Sequence, residues 1–207
     1  RFGPLRLMES SLLLSGLVLL TFPAAKSPPA VAAATVAGVA PYDGAGLDWF
    51  DGMAEENHAE YHAAEQGAEA YTAYLEEHFM PVLHATATDL AEAMGGLVTP
   101  VDQAVMTGDF TDWMARTFHR AGAQGVVGVR DDGLAAVRPW GFDLDGIEVP
   151  VAVWQGRQDA MVPFAHGEWL AAQVRGAEPH LFDDEGHLSL VTRLERVLTD
   201  LRRLGEI

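Results

Sequence analysis

The pattern of apolar and polar positions changes its period several times along the chain, and the changes mark out its elements. "AVAAATVAGVAPYD", Ala30 to Asp43, is a run of small and β-branched residues closed by Gly38, Pro41 and an acidic turn. A run that is apolar at both odd and even positions predicts a short strand buried on both faces, leading into a loop. From Gly44 to about Arg120 the period becomes helical. Leu47, Phe50, Met53 and Ala54 share one face, and Tyr71, Tyr74, Leu75 and Phe79 share another. A further helical stretch carries Val105, Phe110, Trp113, Met114 and Phe118, with start signals at Thr99-Pro100 and at Thr107 to Asp109. Gly67 and "MGGLVTP" separate these helices. Residues 125–150, with repeated glycines and prolines, are predicted to be loop.

Three further elements follow. "VPVAVWQGRQD", Val149 to Asp159, predicts a buried parallel strand running into an acidic turn. "PFAHGEWLAAQV" predicts a helix with Trp169, Leu170 and Val174 on its apolar side, and "EPHLFDDEGH" a short strand with a turn. In "LSLVTRLERVLTDLRRL", Leu190, Val191, Leu194, Val197, Leu198 and Leu201 mark a terminal amphipathic helix. Strands alternating with helices predict an α/β fold with a parallel sheet. The helical block between the first two strands reads as an insertion over one end of that sheet. The expected division is an atypical N-terminal segment, 1–29, a core of 30–43 with 139–207, and a helical insertion, 44–138.

Composition narrows the function classes. Hydrophobic residues at 49% and charged residues at 21% suit a soluble globular chain. Thirteen Lys and Arg against thirty Asp and Glu give a net charge of −17, which repels phosphate backbones and sets nucleic acid aside as a partner. With no cysteine, disulfides, thiolate catalysis and cysteine-ligated zinc are excluded. The apolar run from Leu12 to Phe22 is too short to span a membrane. It resembles a signal-peptide core followed by Ala24 and Ala25, although Glu9 stands where positive charge is expected, downstream of Arg1 and Arg6. A cytoplasmic protein is the expectation, with secretion the alternative if residues 8–25 act as a signal peptide. A start at Arg1 rather than Met reads as a fragment or a processed product.

Ligand chemistry in open parallel sheets gathers at the carboxyl ends of the strands. Asp159 and His187 both fall there, separated by one helix and one strand. A carboxylate that accepts the Nδ1 proton of a histidine fixes its tautomer and leaves Nε2 as a base.

These two segments resemble the α/β-hydrolase family. Gly156, Asp159, Val162 and Pro163 match that family's G-x-x-D-x-x-V-P acid segment, and "DDEGHLSL" is similar to the turn that delivers its histidine. "VAAATVAGVAPYD" resembles the strand after the nucleophile helix, Gly44 to Arg138 a helical cap, and "RPWGFDLDGIEVPV" the cap exit of one capped subgroup that includes proline-releasing peptidases. The resemblance covers about Ala30 to Leu204, the C-terminal portion of the family fold. It implies hydrolysis of a small-molecule ester or amide through a Ser-His-Asp mechanism, without a cofactor. The family's G-x-S-x-G nucleophile elbow occurs nowhere in the chain. Ser15 in "LLLSGLV" stands nearest to its place, but Leu13 and Leu17 crowd a turn that needs small residues. The expectation is a weakly active or inactive hydrolase-like chain. The alternative is a non-catalytic binding or interaction protein, with an open sheet edge through which it self-associates.

Three other features carry bland and functional readings together. His58 and His62 are four apart beside Glu55 and Glu65, a spacing that can hold a metal but lacks H-E-x-x-H; a solvated acidic helix face is the simpler reading. Asp131-Asp132 is either a carboxylate pair or, more simply, a turn. Trp49, Phe50, Trp113, Phe118 and Trp140 either line an apolar pocket or hold the insertion together.

Overall fold

The computed structural model describes residues 32–205. Its sheet has three parallel strands in the order β1 (Ala33–Val36), β3 (Val151–Gly156), β4 (Glu178–Phe182). Ala33 pairs with Val151, and Gly156 with Phe182. All six residues of the central strand β3 are buried, as its unbroken apolar run requires.

Alternation along the strands then feeds two layers. Ala34, Ala152 and Trp154 face Val197 and Leu201 of α9 (Leu194–Leu204). Ala33, Val151 and Val153 face Leu170, on α8 (Phe164–Gln173), and Val174 at its end. Each buried Val or Leu side chain among these contributes about 2 kcal/mol. The exposed side of α9 carries Glu195, Arg196, Arg202 and Arg203. Its N-terminal side differs from the predicted single helix: Ser189–Arg193 forms a 3-10 turn first.

Between β1 and β3 lie α1 (Glu55–Glu65), α2 (Ala68–Tyr74), α3 (Met80–Leu83), α4 (Leu90–Ala93), α5 (Pro100–Val105), α6 (Gly108–Ala121), the extended segment β2 (Ala123–Val126) and α7 (Val127–Ala136). A π-helical turn, Leu75–Phe79, joins α2 to α3. Tyr71, Leu75, Leu83, Met114 and Phe118 form the core of this insertion.

The helix α7 overturns the loop expected over residues 125–150. Gly133 is not a breaker there. A Cβ on it would sit 2.2 Å from the Tyr71 hydroxyl, so the glycine lets α7 lie directly against α2. Val129, one turn earlier, is buried in the same core. Tertiary contact supplies what local propensity lacks. Asp131-Asp132 accordingly lies on a helix rather than in a turn, with Asp131 held by Arg130 at 2.8 Å.

The chain leaves β1 through Ala37, whose φ of 50° is left-handed although it carries a Cβ. Beyond it, buried His166 of α8 fixes the entry to the insertion. Its Nδ1 accepts from the Ala40 N–H at 3.0 Å, and its Nε2 donates to the Trp49 carbonyl at 2.9 Å. The Trp49 indole in turn donates to the Ala40 carbonyl at 2.9 Å. Both partners require a neutral Nε2–H ring, and burial pushes the His166 pKa down.

Candidate active site

The last residue of strand β3 is Gly156, where nothing larger fits. A Cβ there would lie 2.3 Å from the Glu185 carbonyl oxygen, so the chain before His187 crosses directly over the strand end. Backbone bonds then stitch the two turns together: Arg157 N–H to the Phe182 carbonyl and Gln158 N–H to the Glu185 carbonyl, both 2.8 Å. The acid run "DDE" supplies cross-links, with Asp183 pairing with Arg157 and Glu185 with Arg193, each at 2.6 Å.

Asp159, 5% exposed, sits in the first of these turns. Its Oδ1 accepts from the backbone N–H groups of Met161 and Val162, both at 2.8 Å, which fixes the turn. Its Oδ2 accepts from Gln155 Nε2 at 3.0 Å and from His187 Nδ1 at 2.9 Å. Gln155 Nε2 also donates to the Val162 carbonyl at 2.7 Å. Both neighbours are acceptors, so the amide can face them only with its NH2 group; its Oε1 is left buried without a partner.

A carboxylate accepts, so the neutral His187 ring carries its hydrogen on Nδ1. Its Nε2 has no hydrogen-bond partner among the described residues. Burial pushes the His187 pKa down, but the charge and hydrogen bond of Asp159, with the charge of Asp102, outweigh it and raise the pKa. Side chains beside the pair, Met161 and Leu188, pack against the core of the insertion.

Asp102 and Gln155 are the participants that sequence reasoning missed. Asp102, on α5, has no exposed surface and bonds the backbone N–H groups of His187 and Ser189. In the sequence it is one more acid in a first helical turn. Gln155 did leave a signal: it is the polar residue in an otherwise apolar strand.

The other candidates among the described residues are not brought to this site. Ser15 lies outside the described residues. His62 Nδ1 is bonded to Glu65 at 2.8 Å on an exposed face, and His58 packs on Phe50. The aromatics fall into three clusters: Trp49 and Phe50 with Tyr61, Phe118 and Trp113 in the insertion core, and Trp140 beside Val151. They do not share one pocket. Among the described residues, the cluster with metal-ligand spacing is Glu178, His180 and Asp200. Arg203 already bridges both of its carboxylates, so a positive charge stands where a cation would bind.

A parallel sheet flanked by helices, an insertion after one strand, and an acid and histidine meeting at consecutive strand ends together define a class. The class they define is the α/β-hydrolase type, which the chain resembles in fold over the part described. It is similar to a pimeloyl-[acyl-carrier protein] methyl ester esterase of Aromatoleum aromaticum, at 37% identity over 62 residues, covering 30% of this chain and 25% of that protein. Among solved structures it is similar to an esterase of Rhodococcus sp. ECU1013, at 18% identity and a TM-score of 0.42, covering 84% of this chain and 56% of that one. A bromoperoxidase of Bacillus anthracis matches at 18% identity and a TM-score of 0.44, covering 65% of this chain and 49% of that one. The chain thus spans a quarter of the curated relative and about half of these solved chains. No family model matches it. No helix among the described residues is long and apolar enough to cross a membrane.

Proposed function

We propose that this chain supplies the acid–histidine half of a hydrolase site acting on a small-molecule ester or amide. The observation that carries the reading is the bond from His187 Nδ1 to buried Asp159 at 2.9 Å. An imidazole held this way is oriented, fixed in the Nε2-basic tautomer and stabilised when it takes up a proton. That is the requirement for removing a proton from an attacking hydroxyl or water and returning it to the leaving group. The named activity of the Aromatoleum relative, an ester esterase, agrees with the ester class. The helices over the strand ends then serve as a cap.

With no G-x-S-x-G elbow in its 207 residues, the chain by itself is weakly active or inactive toward substrates that need an acyl-serine. Slow turnover through His187 acting on water is what remains. The test uses short p-nitrophenyl esters together with a serine-reactive fluorophosphonate probe. Slow turnover abolished by His187→Ala is the expected result. Probe labelling lost on Ser15→Ala would make Ser15 the nucleophile. Turnover that persists unchanged in His187→Ala would overturn the reading, and the absence of both turnover and labelling would favour a non-catalytic binding protein.

A further inference from the structure

We propose that Asp102 is a positioning residue through which the helical insertion sets the place of His187. This rests on the hydrolase reading for its significance, but not for its geometry. Asp102 stands on α5, a different element from either turn of the site. Its Oδ1 accepts from the Ser189 N–H at 2.9 Å. Its Oδ2 accepts from the His187 N–H at 3.1 Å and from the Thr99 hydroxyl at 3.1 Å. The fit leaves no slack: a Cβ on Gly186 would lie 2.5 Å from Asp102 Oδ1, so the residue before the histidine is a glycine because this carboxylate is there.

A wholly buried carboxylate is costly unless its oxygens are satisfied, and a neutral side chain would avoid that cost. Here the donors are the backbone of the histidine turn itself. The bland alternative is that Asp102 only caps the 3-10 turn Ser189–Arg193 from outside, as an acid at the start of a helix does. Two observations point further. The charged groups that act on His187 are Asp159, from the strand turn, and Asp102, from the insertion. Met161 and Leu188, beside the acid and the histidine, also pack on the insertion core. If the insertion shifts outward, Asp102 goes with it. The histidine turn then loses two anchors, and the imidazole loses one of the two negative charges that favour its protonated form. Movement of the insertion and the base strength of His187 are therefore coupled.

The experiment reads the His187 ring by nitrogen and proton NMR across a pH titration, in the wild-type chain, Asp102→Asn and Val129→Ala. Val129 is buried in the insertion core, on the helix that packs on Tyr71 rather than on α5, so its truncation lowers stability there while leaving Asp102 in place. In Asp102→Asn the His187 protonation constant is expected to fall several-fold, and the Nδ1–H resonance to broaden. In Val129→Ala both stay as in wild type despite a lower thermal midpoint. Wild-type values in Asp102→Asn would overturn the proposal. Should Asp102→Asn fail to fold, native-state hydrogen exchange of the wild-type chain decides. The His187 and Ser189 amides are expected to open together with the amides of the insertion; exchange at free-loop rates would overturn the clamp. Neither readout involves turnover. An inert chain whose His187 still responds to Asp102 removes the hydrolase reading alone.

Discussion

Asp159 accepts four hydrogen bonds through two oxygens, and one residue, Gln155, joins that carboxylate to the backbone of its own turn. Replacing Gln155 with Leu removes the donor and leaves the Val162 carbonyl buried and unpaired. The expected loss of stability is about 2 kcal/mol by urea denaturation, together with a weaker hold on the His187 ring. A second buried acid has the opposite economy. Glu60 lies in the insertion core, accepting from the Tyr71 hydroxyl at 2.6 Å. Burial raises its pKa to about 6, against the lowering effect of that bond. The folded state therefore holds the Glu60 proton more tightly than the unfolded chain does. Its contribution is complete below about pH 4.5 and is lost as the pH rises through 6. Glu60→Gln keeps an acceptor for Tyr71 and is expected to gain up to about 2 kcal/mol above pH 6 and nothing at pH 4, measured by urea midpoints. Asp159 and His187 were legible as a pair because each follows a strand signal and a glycine. Asp102 was not, because its partners are backbone amides brought from the far end of the chain, and no local pattern records them.

At the scale of elements, legibility followed how much of each element's reason lies within it. The strands β3 and β4 and the helix α9 announce themselves through their own periodicity. α7 does not: its glycines read as breakers, and its stability comes from lying on Tyr71. Gly133→Ala forces a methyl group into the Tyr71 hydroxyl and is expected to lower stability by about 1–3 kcal/mol in thermal melts, although alanine is the better helix former. A neutral or stabilising result would mean that α7 packs elsewhere. The terminal helix was read with one apolar face throughout; its first turn tightens to a 3-10 geometry where Asp102 and Ser189 hold the histidine turn.

For the whole molecule, the junction between sheet and insertion is governed by one neutral imidazole. Protonation of His166 at Nδ1 would set a hydrogen against the Ala40 N–H. Because its folded pKa is lowered, the unfolded chain binds this proton first. The contribution of His166 is therefore complete above about pH 6.5 and declines as the pH falls below it. His187, with its raised pKa, has the reverse dependence: its contribution is present below about pH 6.5 and is lost as the pH rises through the folded value. Compared with His166→Gln, which shares the opposing contributions of His187 and Glu60, the wild-type urea midpoint is expected to lose ground between pH 7 and pH 5 by the part owed to His166. The fold class was readable from strand–helix alternation, whereas this joint was not, since His166 looks like any polar residue in the middle of a helix.

The pairing of Ala33 with Val151 carries a consequence for how the molecule is made. Most of the described chain lies between these two partners, so among the described residues β1 has no partner strand until all of the insertion has been synthesised. Closing so long a loop is unfavourable until contacts within the loop shorten it. The insertion, whose core is built from elements near one another in sequence, is the part able to condense first. In pulsed hydrogen-exchange refolding, amides of α6 and α7 are expected to gain protection before those of β1 and β3. The Asp159–His187 pair, whose two turns hang on the sheet, would then be among the last features to assemble.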